Sequence, residues 1–226
     1  DDGTAFLGAV VGFLGYVAPL ISLGIYTPQA VRLWNRRTAE GLAESTWVLK
    51  LFAVTSTALF TLHLGLPIGA AADVILLTLQ AAVVVALLLA FGSEGQRVTI
   101  LPALLVYSLW IAAFAQGIIP EVVYSALQVL AAASLTFALV PQILLNYEKG
   151  EAGNFSPLTA SLGLLLCSIR VVTTLSVPAW SPVLLATWAG AAVANGVLTA
   201  QIIYYNSRAG IDVAETFYSD LRPQSE

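Results

Sequence analysis

Two Pro-Gln dipeptides, Pro28-Gln29 and Pro141-Gln142, each lie near the end of a long apolar stretch. Each is followed by a short charged loop and then by another apolar stretch. They are 113 positions apart, and sliding the chain by that distance lays Ile25–Glu44 on Ala138–Pro157. Arg36 then meets Lys149, Ala39 meets Ala152, and Thr46 meets Thr159 at the start of the next apolar run. Gly41-Leu42 meets Asn154-Phe155, and Gly and Asn are the residues that best tolerate a left-handed backbone. The chain therefore contains one unit twice, in the same orientation. Parallel repeats related by an axis along the membrane normal are a transporter design.

Hydrophobic residues make up 58% of the chain and charged residues 10%, with mean hydropathy +0.87. Soluble domains carry about 25% charge, and no segment here is both polar and long enough to form one. Only helices and closed barrels satisfy their backbone inside lipid, and a spanning helix takes roughly 20 apolar residues. Seven segments qualify: Ala5–Leu33, Thr46–Leu64, Ala70–Phe91, Val98–Gln116, Val122–Tyr147, Pro157–Leu175 and Val183–Tyr205. The fold class expected is an all-α polytopic membrane protein of seven transmembrane helices, arranged 3+1+3. Residues 1–91 form a first three-helix bundle, 92–121 a linker helix, 122–206 a second bundle and 207–226 a polar tail. That tail is either disordered or docked.

Basic residues collect on the cytoplasmic side of a membrane. Arg32, Arg36, Arg37 and Lys50 flank the first loop, Arg97 the third and Lys149 the fifth, and Arg208 and Arg222 follow the last span. The even-numbered loops and the N-terminus have no Lys or Arg. This predicts a lumenal or external N-terminus and a cytosolic (or stromal) C-terminus. Both Pro-Gln pairs then face the cytosolic side.

Proline inside a helix removes a hydrogen bond and clashes with the preceding turn, so Pro28 and Pro141 predict kinks. Gln29 and Gln142 are placed to satisfy the exposed backbone groups. Hinge or gate, and static shape, are the two readings of these four residues. Charges inside a membrane mark functional hypotheses. Asp73 and Arg170 stand well inside spans, on different repeats and toward the lumenal side. They predict either an ion pair latching the bundles or, for Arg170, a seat for a phosphate. Gln80, seven residues beyond Asp73 on the same helix face, and Asn195 in the seventh span predict a pair across the pseudo-axis. That pair either bonds a sugar hydroxyl or glues helices together. Gln128 and Gln201 are weaker candidates of the same kind.

The single His63 ends the second span. It reads as an interfacial cap, or as a ligand to a pigment magnesium in a photosynthetic membrane. The single Cys167 reads as a small buried hydrophobe. Trp34, Trp47, Trp110, Trp180 and Tyr205 read as interfacial anchors. The sequence has no metal-ligand cluster, no base–nucleophile pair, no phosphate-binding glycine loop and no nucleic-acid patch. Neither an enzyme nor a nucleic-acid partner is expected, and no cofactor beyond chlorophyll or carotenoid contacts in a photosynthetic complex.

These motifs resemble the PQ-loop superfamily, which includes the SWEET sugar transporters, the lysosomal cystine exporter and the KDEL receptor. Within it, Thr38-Ala39-Glu40-Gly41-Leu42, Leu79-Gln80, Leu127-Gln128, Ser168-Ile169-Arg170-Val171, Asn195-Gly196 and Gln201 are similar to the mannose-P-dolichol utilisation defect family. The second repeat departs from that family by keeping Pro141-Gln142 intact. The resemblance implies an endoplasmic reticulum protein that supports use of dolichol-phosphate-linked mannose and glucose. Its partners would be membrane lipids and a lipid-linked sugar or small polar solute. The competing expectation is a non-transporting structural subunit of a larger membrane complex, in a plastid thylakoid membrane. A chain without Met that begins Asp1-Asp2-Gly3 supports it, through the expectation that preceding residues were trimmed or cleaved off as a targeting peptide.

Overall fold

Neither Pro28 nor Pro141 kinks a continuous helix; each opens a new one. The computed structural model describes residues 13, 17, 20–63, 68–176 and 182–218. Residues 20–22 are helical, residues 23–26 turn, and α1 (Thr27–Arg36) starts with Pro28 in its first turn. After the intervening elements, α5 (Glu121–Phe137) ends, Ala138-Leu139 turn, and α6 (Val140–Lys149) starts with Pro141 in the same place. Proline is favoured there because first-turn N–H groups have no helical acceptor. The expected kinked spans are thus two broken helices. The 113-residue shift carries Thr27–Arg36 onto Val140–Lys149, the bounds of α6, and the left-handed C-cap Arg37 (φ 52°) onto the left-handed C-cap Gly150 (φ 67°).

The remaining described elements are α2 (Glu44–His63), α3 (Ile68–Phe91), α4 (Glu94–Ala115), α7 (Pro157–Leu175), α8 (Pro182–Arg208) and a short α9 (Val213–Tyr218). Among the described residues, five segments are long and apolar enough to cross a membrane: Val74–Phe91, Glu94–Ala115, Ala126–Lys149, Pro157–Leu175 and Leu185–Arg208. The helix α2 has spanning length but is diluted by Glu44, Lys50 and a run of Ser and Thr. Three of these, Thr55, Ser56 and Thr57, return their hydroxyls to carbonyls four residues back. Residues before α1 are described only in part, so the early part of the first of the seven expected spans lies largely outside the described residues.

Within the first repeat α1 and α2 pack on α3; within the second, α5, α6 and α7 pack on α8. Across the repeats, α2 lies against α5 and α6, and α1 against α7. Glycine permits two close crossings in the second bundle. A Cβ on Gly163 would overlap Asn195 Oδ1, and one on Gly190 would come within 2.6 Å of Thr136 Cγ2, the small-residue packing common between membrane helices. The helix α4 lies on α2 and α3, and its Val98, Leu101, Leu105, Val106 and Leu109 are exposed. A Ser93/Gln96 capping box starts it, and Arg97 bonds the last carbonyls of α3 at Leu89 and Ala90. The start of the tail docks on its own bundle: α9 contacts α7 and α8, Thr216 is buried, and Asn206 Nδ2 donates to its Oγ1.

Breaking the first helix frees backbone groups that Gln80 collects. Its Nε2 donates to Ser22 O (2.9 Å) and Leu23 O (3.2 Å), and Tyr26 N donates to its Oε1 (3.0 Å). Gln80→Leu is expected to lower the thermal unfolding midpoint in detergent, because each unsatisfied buried group costs about 1–3 kcal/mol. Val193, at the equivalent position of the second repeat, is exposed. Val193→Leu is therefore the control, with an unchanged midpoint.

Candidate functional site

The side chains of the Pro-Gln pairs reach across the molecule. Gln29 Nε2 donates to Asn154 O (3.0 Å), and Ser156 N donates to Gln29 Oε1. Gln142 Nε2 donates to Gly41 O (2.9 Å), and Ala43 N donates to Gln142 Oε1 (2.6 Å). Under the 113-residue shift Gly41 corresponds to Asn154 and Ala43 to Ser156. Each glutamine thus holds the same two backbone groups in the loop of the opposite repeat. The expectation that these amides serve the backbone beside them is corrected: they serve the partner loop. Both are fully buried.

The two loops also touch. Asn154 N donates to Gly41 O (3.3 Å), and a Cβ on Gly153 would overlap Gly41 O. Gly41 (φ 72°) and Gly153 (φ 58°) are both left-handed. The sequence pointed to Asn154 for that conformation; the glycine one residue earlier takes it. Asn154 instead accepts from Arg32 Nε (3.1 Å) and donates to Thr38 O. Gln142 also donates to Asn146 Oδ1 (2.8 Å).

Next to this clamp lies a layer of three buried rings. Trp47 stacks on Phe155 (centroids 5.8 Å, 25°) and meets Tyr26 edge-on (5.2 Å, 83°). Trp47 is 0% exposed, so the reading of it as an interfacial anchor is corrected; Trp34, exposed and stacked under Arg37 (3.9 Å), fits that role. Lys50 follows Trp47 by three residues on the same helix face and is buried against all three rings. The sequence placed Lys50 as a loop-flanking charge, and the structure places it inside.

Beyond the rings a cavity of about 250 Å³ separates the repeats. Its walls are mostly apolar, with Lys50, Gln128, Thr159, Arg170, Thr187 and Asn195 as the main polar contributors. Duplicated positions line it in pairs: Tyr26 with Leu139, Lys50 with Gly163, and Thr57 with Arg170. The frame is symmetric and the chemistry is not. Each repeat supplies one cation, at positions seven residues out of register, roughly 10 Å along a helix.

A family model of the PQ loop repeat matches residues 10–69 and again residues 123–183, together more than half of the chain. The chain belongs to the PQ-loop family. As a PQ-loop membrane protein it carries both copies of the repeat, and the reciprocal clamp joins the two loops that follow the Pro-Gln pairs.

Of the predicted site residues, this PQ-loop protein brings Gln29 and Gln142 to the clamp, while Pro28 and Pro141 start the helices that carry them. It brings Arg170 and Asn195 to the cavity, where Arg170 lies 5.8 Å from the Trp188 ring and Asn195 Nδ2 donates to Ala191 O (2.8 Å). Gln80 is not across from Asn195; it holds the helix break. Gln201 donates to Ile143 O (3.2 Å), away from the cavity, with its Oε1 buried and unpartnered. The Asp73 side chain lies outside the described residues, so the expected Asp73–Arg170 latch does too. His63 is exposed at the end of α2. Among the described residues no group of three or more His, Cys, Asp or Glu is placed to hold a metal ion. Sequence reasoning missed Lys50 and the ring layer. The signal was present: Trp47 and Lys50 share a helix face, so the charge goes where the indole goes.

Proposed function

We propose that this PQ-loop protein moves a small polar solute, or the polar headgroup of a lipid-linked sugar, by rocking its two repeats about the cavity between them. The observation that carries the reading is that the cavity is lined from both repeats, beside loops that are bonded to each other across the repeats. Alternating access needs a central site and a gate that separates when the halves move. The Pro-Gln clamp and the ring layer together suit such a gate. A volume near 250 Å³ falls just under the ~300–1,000 Å³ usual for ligand sites, which suits a single monosaccharide-sized group.

In this reading the molecule spans the membrane seven times in the 3+1+3 order, with the clamp on the cytosolic side. The structure then corresponds to a state closed to the cytosol. The motifs similar to the mannose-P-dolichol utilisation defect family support a lipid-linked sugar in the endoplasmic reticulum. Gly41 from that set lies at the loop contact, Gln80 at the helix break and Asn195 on the cavity wall.

The test is flux in vesicles reconstituted with the purified chain. Asn195→Leu keeps an isosteric shape on the wall but removes its amide, and is expected to slow flux by about tenfold, since one lost polar contact to a ligand is worth about 1–1.5 kcal/mol. An unchanged rate removes Asn195 from the path. No flux of any hexose, phosphosugar or lipid-linked sugar by folded protein would favour the structural-subunit reading.

A further inference from the structure

Lys50 is 5% exposed, and its ammonium sits 5.0 Å from the Tyr26 ring, 4.8 Å from Trp47 and 5.3 Å from Phe155. Among the described residues no carboxylate, carbonyl or hydroxyl bonds to it. Ring faces attract a cation but leave its three N–H donors without acceptors. A buried charge is costly unless it is paired and hydrogen-bonded, and more so within a membrane. The side it has open is the cavity.

The cavity lining has the matching character. Among the described residues that form it, Lys50 and Arg170 are cationic and none is acidic. Two lining residues carry buried side-chain oxygens without partners, Gln128 Oε1 and Thr159 Oγ1. They are suited to hydroxyl groups. Gly163, the repeat-related mate of Lys50, carries no side chain, and Asn195 packs directly over it, so Lys50 has no charged counterpart at the equivalent position.

We infer that the ligand of this cavity is a small hydroxylated anion, bearing a phosphate or carboxylate that seats on Lys50 Nζ. The inference rests on the reading of the same cavity as the solute site and names the class of that solute. The anionic group accepts from the Lys50 ammonium, with the Arg170 guanidinium on the same cavity. The ligand hydroxyls face Gln128 and Thr159. The rings behind Lys50 hold the ammonium in place while the loop end is closed.

The full chain in lipid nanodiscs tests this through the shift in unfolding midpoint. The soluble probes are glycerol 3-phosphate, glycerate and inorganic phosphate, with neutral glycerol as the control at matched ionic strength. Farnesyl phosphate against farnesol in the bilayer is the lipid-headgroup arm. Anions in at least one arm are expected to raise the midpoint and neutral probes to leave it in place. Lys50→Gln is expected to weaken anion binding by about tenfold or more, as for loss of one charge-assisted bond; Lys50→Arg is expected to retain most of it. Response in the soluble arm alone assigns a free anion, and response in the bilayer arm alone a lipid headgroup. Equal stabilisation by neutral probes, no response to any anion, or anion binding unchanged in folded Lys50→Gln would overturn the inference. The wild-type comparison of charged with neutral probes decides the matter even where a variant folds poorly. Anion binding without flux removes the transport reading and leaves this one standing. Flux of neutral polyols that ignores Lys50→Gln does the reverse.

Discussion

Gly153→Ala is expected to unseal the loop end of the molecule. At φ 58° a left-handed alanine costs about 1–2 kcal/mol from the backbone alone. Its Cβ would also overlap Gly41 O, a backbone atom that cannot rotate aside, and such overpacking adds about 1–3 kcal/mol. Gly150→Ala separates the two effects, because Gly150 is equally left-handed (φ 67°) but has nothing within 4 Å of a Cβ. Both variants should lose stability, Gly153→Ala by clearly more. The second readout is Cys167, the chain's single cysteine, which is buried and lines the cavity. A membrane-impermeant maleimide added on the loop side should label it faster in Gly153→Ala than in Gly150→Ala. Equal rates would mean that the loop contact does not close the cavity.

Replacing the clamp amides should give the other large effect. Gln29→Leu leaves Asn154 O and Ser156 N without this partner, and Gln142→Leu does the same to Gly41 O and Ala43 N. Two buried groups left unsatisfied per substitution correspond to about 2–6 kcal/mol. The two sites share one network through the Asn154 N–Gly41 O bond. The double variant is therefore expected to lose less than the sum of the singles in denaturant or thermal unfolding. Strict additivity would show two independent clamps and would remove the loop contact as their link.

The 113-residue register was legible in the sequence down to single residues: it relates the bounds of α1 and α6, their left-handed caps and the paired cavity positions. The same register held an answer that was missed. Gln80 shifted by 113 falls on Val193, so Asn195 was never its mate. The helix breaks were not legible, because proline is compatible with both an interior kink and a first turn. The clamp was not legible either. Its partners are 99 to 127 positions away, and a glutamine beside a proline has nearer backbone groups that it might have served. Lys50 was misplaced because a charge in the second turn of a span normally snorkels to the surface. Here Trp47 and Phe155 fill that direction.

The crossed pattern of the clamp also constrains the order in which the protein can be made. When the first repeat leaves the ribosome, Gln29 and Arg32 face positions that will be filled by residues 154–156, more than a hundred residues still to be synthesised. The loop at 41–43 likewise awaits Gln142. The first bundle therefore enters the bilayer with its loop end unfinished, and neither half completes the other until both are inserted in the same orientation. A second repeat inserted upside down would leave the four glutamine contacts unmade.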